Sequence, residues 1–175
     1  MVLRGILFVL LLAAGVVVDG AWLSRLPLPA GPDLLLLVVL AIALRHGAEG
    51  GALAGAAGGY LRDVAGGTPL GLYAFSYLVV GAAAGASSAV VDPRQRSVAV
   101  AWAVVGTGLL ALVSGTMVAA TGLARVTWAD VASDAAVAAA LNALLAGPVG
   151  SLVAWADRVT RRRYEGRVIG PRGLR

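Results

Sequence analysis

The strongest constraint on this chain is a succession of long apolar runs, each closed by a short turn rich in arginine, glycine or proline. Five of the six runs span about 15 to 23 residues, near the length a helix needs to cross a bilayer, and one is shorter, at about 11. Backbone N–H and C=O groups find no partners in lipid, so each run must satisfy them internally as a helix. The spans read as about Leu3 to Val18, Leu34 to Leu44, Gly47 to Leu61, Pro69 to Ala89, Val98 to Ala120 and Ala135 to Ala156. The expected fold class is therefore an all-α membrane protein, a bundle of about six transmembrane helices, with the second and third runs alternatively merging into a re-entrant pair. The expected organisation is a helical domain over residues 1–157 and a basic cytoplasmic tail over 158–175.

Composition agrees. Of 175 residues, 59% are hydrophobic and 13% charged, against about a quarter charged in soluble domains. A small soluble domain could not hide this much apolar surface in one core. The first run follows Arg4 as a signal peptide would, but Val18, Asp19, Gly20 and Ala21 lack a small-x-small cleavage pattern. It reads as a span.

All 14 basic residues are arginine. With the N-terminus inside, the cytoplasmic regions hold Arg4, Arg45, Arg94, Arg96 and the seven arginines between Arg158 and Arg175. The outer loops hold only Arg25, Arg62 and Arg125, together with Asp19, Asp33, Asp63, Asp130 and Asp134. Arginine concentrates on the cytoplasmic side of membranes, so both termini are expected there, in a bacterial inner membrane. The net charge of +5 is a property of the tail, not a basic face, and gives no reason to expect a nucleic-acid partner. Arg158, Arg161, Arg162, Arg163 and Arg167 suit anionic headgroups, each contributing ~1 kcal/mol, or alternatively a cytoplasmic protein.

The absence of cysteine excludes disulfides, thiolate metal sites and cysteine nucleophiles. His46, the one histidine, cannot build a histidine metal cluster alone. Gly106-Thr107-Gly108-Leu109-Leu110-Ala111 fits a loose dinucleotide pattern, but it lies inside an apolar run with no strand before it. No catalytic residue, cofactor site or metal site is expected.

The third run carries glycine at Gly47, Gly51, Gly55 and Gly59, which fall on one helix stripe, with Gly50, Ala54 and Gly58 beside it. In lipid, close backbone approach through small residues is what holds helices together. The stripe marks a helix packed centrally, against its own bundle or against a partner or second copy. Arg62 and Asp63, just before the Gly66-Gly67-Thr68-Pro69 turn, read as an interfacial capping pair or as a partner or ligand contact. Glu49 sits one turn from Arg45, Asn142 should hydrogen-bond to another helix, and Pro148 should kink the sixth span.

The stretch from Gly55 to Gly85 resembles the rod shape-determining protein MreD family. The residues that carry the resemblance are Asp63, Gly67, Pro69, Leu70, Gly71, Tyr77 and Gly81, following the glycine-rich span. The resemblance implies a non-enzymatic membrane component of the cell-elongation machinery that acts with MreC, and with MreB, RodA and its transpeptidase partner, to control peptidoglycan synthesis. It also implies a fold similar to the substrate-binding subunits of energy-coupling-factor transporters. A small-molecule transporter subunit is the alternative, with an outward pocket expected at Asp63, Tyr73, Ser76 and Tyr77.

Overall fold

The computed structural model describes residues 2–21, 30–92, 95–122 and 127–168, with side chains described from 5 to 160 within those ranges. The described residues form five helical elements and no strand: α1 Val2–Ala21, α2 Leu34–Gly66, α3 Leu72–Ser87, α4 Arg96–Thr121 and α5 Trp128–Val168. Three are long and apolar enough to cross a membrane: Leu34–Gly66, Arg96–Thr121 and Trp128–Thr160. α1 and α3 are shorter apolar helices.

Six separate helices are expected from the sequence, and the observed count is five. The second and third runs form one element, α2, broken at a single residue. Gly47 has φ 75° and ψ −172°, a conformation open in practice only to glycine. An unbroken helix would hold Leu35 and Gly58 about 35 Å apart. Instead a Cβ on Gly58 would lie 2.9 Å from Leu35 Cδ1 and 3.5 Å from Val39 Cγ2. The chain therefore doubles back at Gly47, and arms 34–46 and 48–66 pack against each other.

α2 touches every other helix. Its first arm is the core: Leu35 to Leu40 and Ile42 to Leu44 are all buried, so it is apolar on all sides because it has neighbours on all sides. This corrects the expectation that the glycine-rich span is the central helix. The second arm buries its glycine face but presents Leu53, Tyr60 and Val64 outward. α1 is built into the bundle through buried Leu12 and through Gly15, which sits against the Leu35 backbone. α5 continues through Pro148 as helix, and on to Val168, so the expected domain boundary at 157/158 falls inside one helix.

The glycine stripe packs on α3 in antiparallel register. Gly47 faces Gly85, Gly51 faces Gly81, Gly55 faces Tyr77 and Gly59 faces Tyr73. At Gly51, Gly55, Gly59, Gly81 and Gly85 an added Cβ would collide with backbone atoms of the opposite helix, closer than any real Cβ contact. The two backbones are in van der Waals contact from Gly47 to Gly59, about three turns. Gly47 adds a second role at the end of the seam: a Cβ there would meet nothing, and its positive φ makes the turn.

Candidate functional site

Helix ends leave backbone N–H groups without intrahelical partners. At two helix starts this chain answers with carboxylates from the preceding helix. Asp19, near the end of α1, accepts from Leu34 N at 3.1 Å and Leu35 N at 3.2 Å. Asp33, the N-cap of α2, accepts from Leu36 N through Oδ1 at 2.8 Å, and its own carbonyl accepts from Leu37 N at 3.2 Å. The orphan donors of Leu34, Leu35 and Leu36 are thereby satisfied, Leu37 makes the first intrahelical bond, and both carboxylates lie where the helix dipole favours negative charge.

Asp63 performs the same task for α3. Its side chain is fully buried and accepts from Gly71 N at 2.9 Å, Tyr73 N at 3.0 Å, Ala74 N at 3.2 Å and the Thr68 hydroxyl at 2.9 Å. The turn that brings those donors to it needs Gly67 at φ 63° and Gly71 at φ 103°. Pro69 accepts from Leu72 N through its carbonyl and lies in the turn, so α3 begins three residues later than expected. The spacing of Asp63, Gly67, Pro69 and Gly71 is thus the geometry of one cap.

Arg62, next to Asp63, points the other way. Its Nη1 donates to Asp33 Oδ2 at 3.0 Å and to the Tyr77 hydroxyl at 2.7 Å, and lies 4.0 Å from Asp19 Oδ2. Tyr77 in turn donates to Asp33 Oδ2. The guanidinium lies 4.8 Å from the Tyr73 ring centre and 5.8 Å from that of Tyr77. From Asp33 the network continues: its N–H donates to Asn142 Oδ1 at 2.8 Å, Asn142 Nδ2 donates to Thr107 Oγ1 at 2.9 Å, and Thr107 donates to Ala103 O at 2.6 Å. Asn142 and Tyr77 are fully buried. Asp19, Asp33, Arg62, Tyr77, Thr107 and Asn142 therefore tie all five helices into one polar cluster.

Above the cluster opens a cavity of about 560 Å³. Asp19, Asp33, Arg62, Tyr73 and Thr107 form its polar side, Asp134 of α5 lies at its rim, and Leu110, Ala111, Val118 and Val131 form its apolar side. Of the four residues expected to line an outward pocket, only Tyr73 does so. Asp63 is consumed by the cap, Tyr77 is buried beneath the floor, and Ser76 is buried, donating to Leu72 O at 2.8 Å. Asp33 and Thr107 were not singled out by sequence. Asp33 had a visible signal, an Asp directly before an apolar run, the position of an N-cap.

The remaining expected sites are dispersed. Gly67 and Gly71 form the cap turn, and Gly81 sits in the α2–α3 seam. Arg45 and Glu49 stand on opposite sides of the Gly47 break, and Arg45 Nη2 donates to Gly150 O at 3.4 Å. His46 lies 3.8 Å from Asp157. Arg158 is exposed on α5. The side chains of Arg161, Arg162, Arg163 and Arg167 lie outside the described residues. Among the described residues no three His, Asp or Glu side chains converge as a metal site would require. No family model, curated protein or solved structure matches the chain.

Proposed function

We propose that this chain is an MreD-type component of the cell-elongation complex: a non-enzymatic protein of the bacterial inner membrane that binds an MreC-like single-span partner and helps control peptidoglycan synthesis and cell shape. The observation that carries the reading is that Asp63, Gly67, Pro69, Gly71, Tyr77 and Gly81 form a single structural unit, the capped start of α3 and its seam with α2. A motif shared for a structural reason should appear as one such unit. On this reading the two arms of α2 would count as separate spans, as the resemblance to that family and to the energy-coupling-factor binding subunits implies, and both termini would be cytoplasmic. MreB, RodA and its transpeptidase partner would be reached directly or through MreC, anionic lipids would hold the arginine-rich end, and a homodimer is compatible with the open faces.

Two apolar faces support contact within the membrane. α4 buries only Ala103, Gly106, Thr107 and Leu110, and Val104, Val105 and Leu112 of α4 and Leu144 and Leu152 of α5 point outward. A partner helix would meet such a face by packing and not by a soluble domain. The test is co-purification with an MreC-like protein in mild detergent, joined to depletion in a rod-shaped host. Co-purification and rounding of cells are expected; failure of both rejects the proposal. Reporter fusions should place the C-terminus in the cytoplasm.

The cavity favours a second reading, a substrate-binding subunit of a small-molecule transporter. Its volume of about 560 Å³ falls within the range of small-molecule sites. Substrate uptake that depends on this chain, with cell shape unchanged on depletion, would favour that reading over the first.

A further inference from the structure

At the end of the bundle away from the Asp33 cluster, arginines from two different helices come to one face of α5. Arg45, closing the first arm of α2, donates from Nη2 to Gly150 O at 3.4 Å. Arg96, opening α4, lays its guanidinium on Gly147, where an added Cβ would lie 3.3 Å from Nη2 and 3.4 Å from Nε. Residues three apart share a helix face at about 5 Å, so both guanidiniums meet the same turn of α5. Both arginines are exposed, and among the described residues no carboxylate lies within 4.0 Å of Arg96. Asp157, two turns beyond Gly150 on that face, is met by His46 at 3.8 Å. Glu49 stands beyond the Gly47 break, on the arm that packs against α3, and in the loop ahead of α4 Asp92 is offset by Arg94. The local balance is positive.

Beside the arginines lies a narrow apolar groove of about 40 Å³, walled by Leu40, Ala41 and Leu44 of the first arm of α2, Ala99 of α4 and Ala146 of α5, with Arg45 among its walls. That is far below the ~300 Å³ of a site that encloses a small molecule. The groove suits part of a chain whose bulk stays outside, in lipid. Guanidinium groups hold phosphate through paired, charge-assisted N–H donors. We propose that Arg45, Arg96 and this groove form a site for one anionic phospholipid, its phosphate between the two guanidiniums and an acyl chain along the groove. The site is separate from the arginine-rich end of α5. It rests on the membrane reading alone and holds for either cellular role; co-purification with a partner would survive its failure.

The full chain in dodecyl maltoside is titrated with dioleoylphosphatidylglycerol or dioleoylphosphatidylcholine, and native mass spectrometry reads the affinity of the first lipid bound. The anionic lipid should bind about tenfold more tightly than the zwitterionic one. Arg45→Gln and Arg96→Gln should each weaken it about fivefold, and the two together about twentyfold. Both side chains are exposed, so these changes leave the fold intact. Ala99→Leu keeps every charge but fills the groove, and should weaken both lipids about threefold. Changing Arg161, Arg162 and Arg163 together to Gln removes more charge, yet should weaken the first lipid less than the Arg45 and Arg96 pair does. Equal affinity for the two lipids overturns the proposal. So does a larger loss in the triple variant than in the pair, which would mean diffuse attraction to the arginine-rich end. Glycerophosphoglycerol, the headgroup without chains, should not displace the lipid at about a hundredfold excess. Displacement would give the arginines to a free phosphate ester and overturn the phospholipid.

Discussion

Asp63 shows how a single side chain can fix a helix start. Replacing it with alanine leaves Gly71, Tyr73 and Ala74 N–H groups and the Thr68 hydroxyl without their acceptor in a buried place. Buried donors left unmade cost ~1–3 kcal/mol each. Because the turn can relax, Asp63→Ala is expected to lower stability by about 3 kcal/mol, read from unfolding in detergent, and Asp63→Asn by roughly half that. A loss below about 0.5 kcal/mol for the alanine variant would show that the cap is dispensable. Arg62 is a different case, since its side chain is 33% exposed and solvent screens part of its interaction. Arg62→Met strands Asp33 and Tyr77 together and is expected to cost about 2 kcal/mol. Adding Asp33→Asn should cost less than the sum of the two single changes, because each removes the same interaction; strict additivity in that double-mutant cycle would deny the coupling.

At the scale of elements, the α2–α3 seam and the Gly47 turn make opposite demands on glycine. Along the seam glycine is needed for space. Gly55→Ala would force the Tyr77 backbone away and should cost about 2 kcal/mol, although alanine is the better helix former. Gly108, in α4, has nothing within 4 Å of a Cβ, and Gly108→Ala should be neutral or stabilising by up to ~1 kcal/mol. Equal effects at the two positions would mean that propensity, not approach, governs both. At Gly47 the need is conformational, and the doubled-back arms give a direct check. The chain has no cysteine, so cysteines replacing Leu35 and Gly58 would be the only pair present. They should cross-link on oxidation in membranes, whereas a straight α2 would keep them about 35 Å apart and unlinked.

Across the whole molecule, the polar cluster acts as a common anchor at one end of a bundle that otherwise relies on apolar packing. Lipid is as apolar as leucine, so packing alone gives a weak preference for one helix arrangement over another. A connected set of hydrogen bonds in a dry place does discriminate, because a misplaced helix leaves a buried group unpaired. Asn142 joins α5 to both α2 and α4, and Asn142→Leu removes both links. The expected result is a loss of about 1–2 kcal/mol and faster amide exchange at Asp33 and Leu34 than at the α2–α3 seam. Uniform loosening of every helix would instead mean that the bundle opens as one unit.

The sequence by itself determined the helical class, the apolar runs, the turn at Gly66-Gly67 and the small-residue face of the third run. These depend on local composition and on the helical period, and both are visible without neighbours. It also placed Asp19, Asp33, Arg62 and Asp134 at one end of the bundle, because charge marks where runs stop. Only the tertiary structure decided that Arg62 turns toward Asp33 while Asp63 turns toward α3, and that Asn142 reaches Asp33 across 109 positions of chain. It also decided that the leucine-rich first arm of α2 is the core and the glycine-rich arm is not. A periodic pattern tells which face of a helix is small or apolar. Which neighbour covers that face depends on how all the helices share a limited volume, and no short window of sequence contains that information.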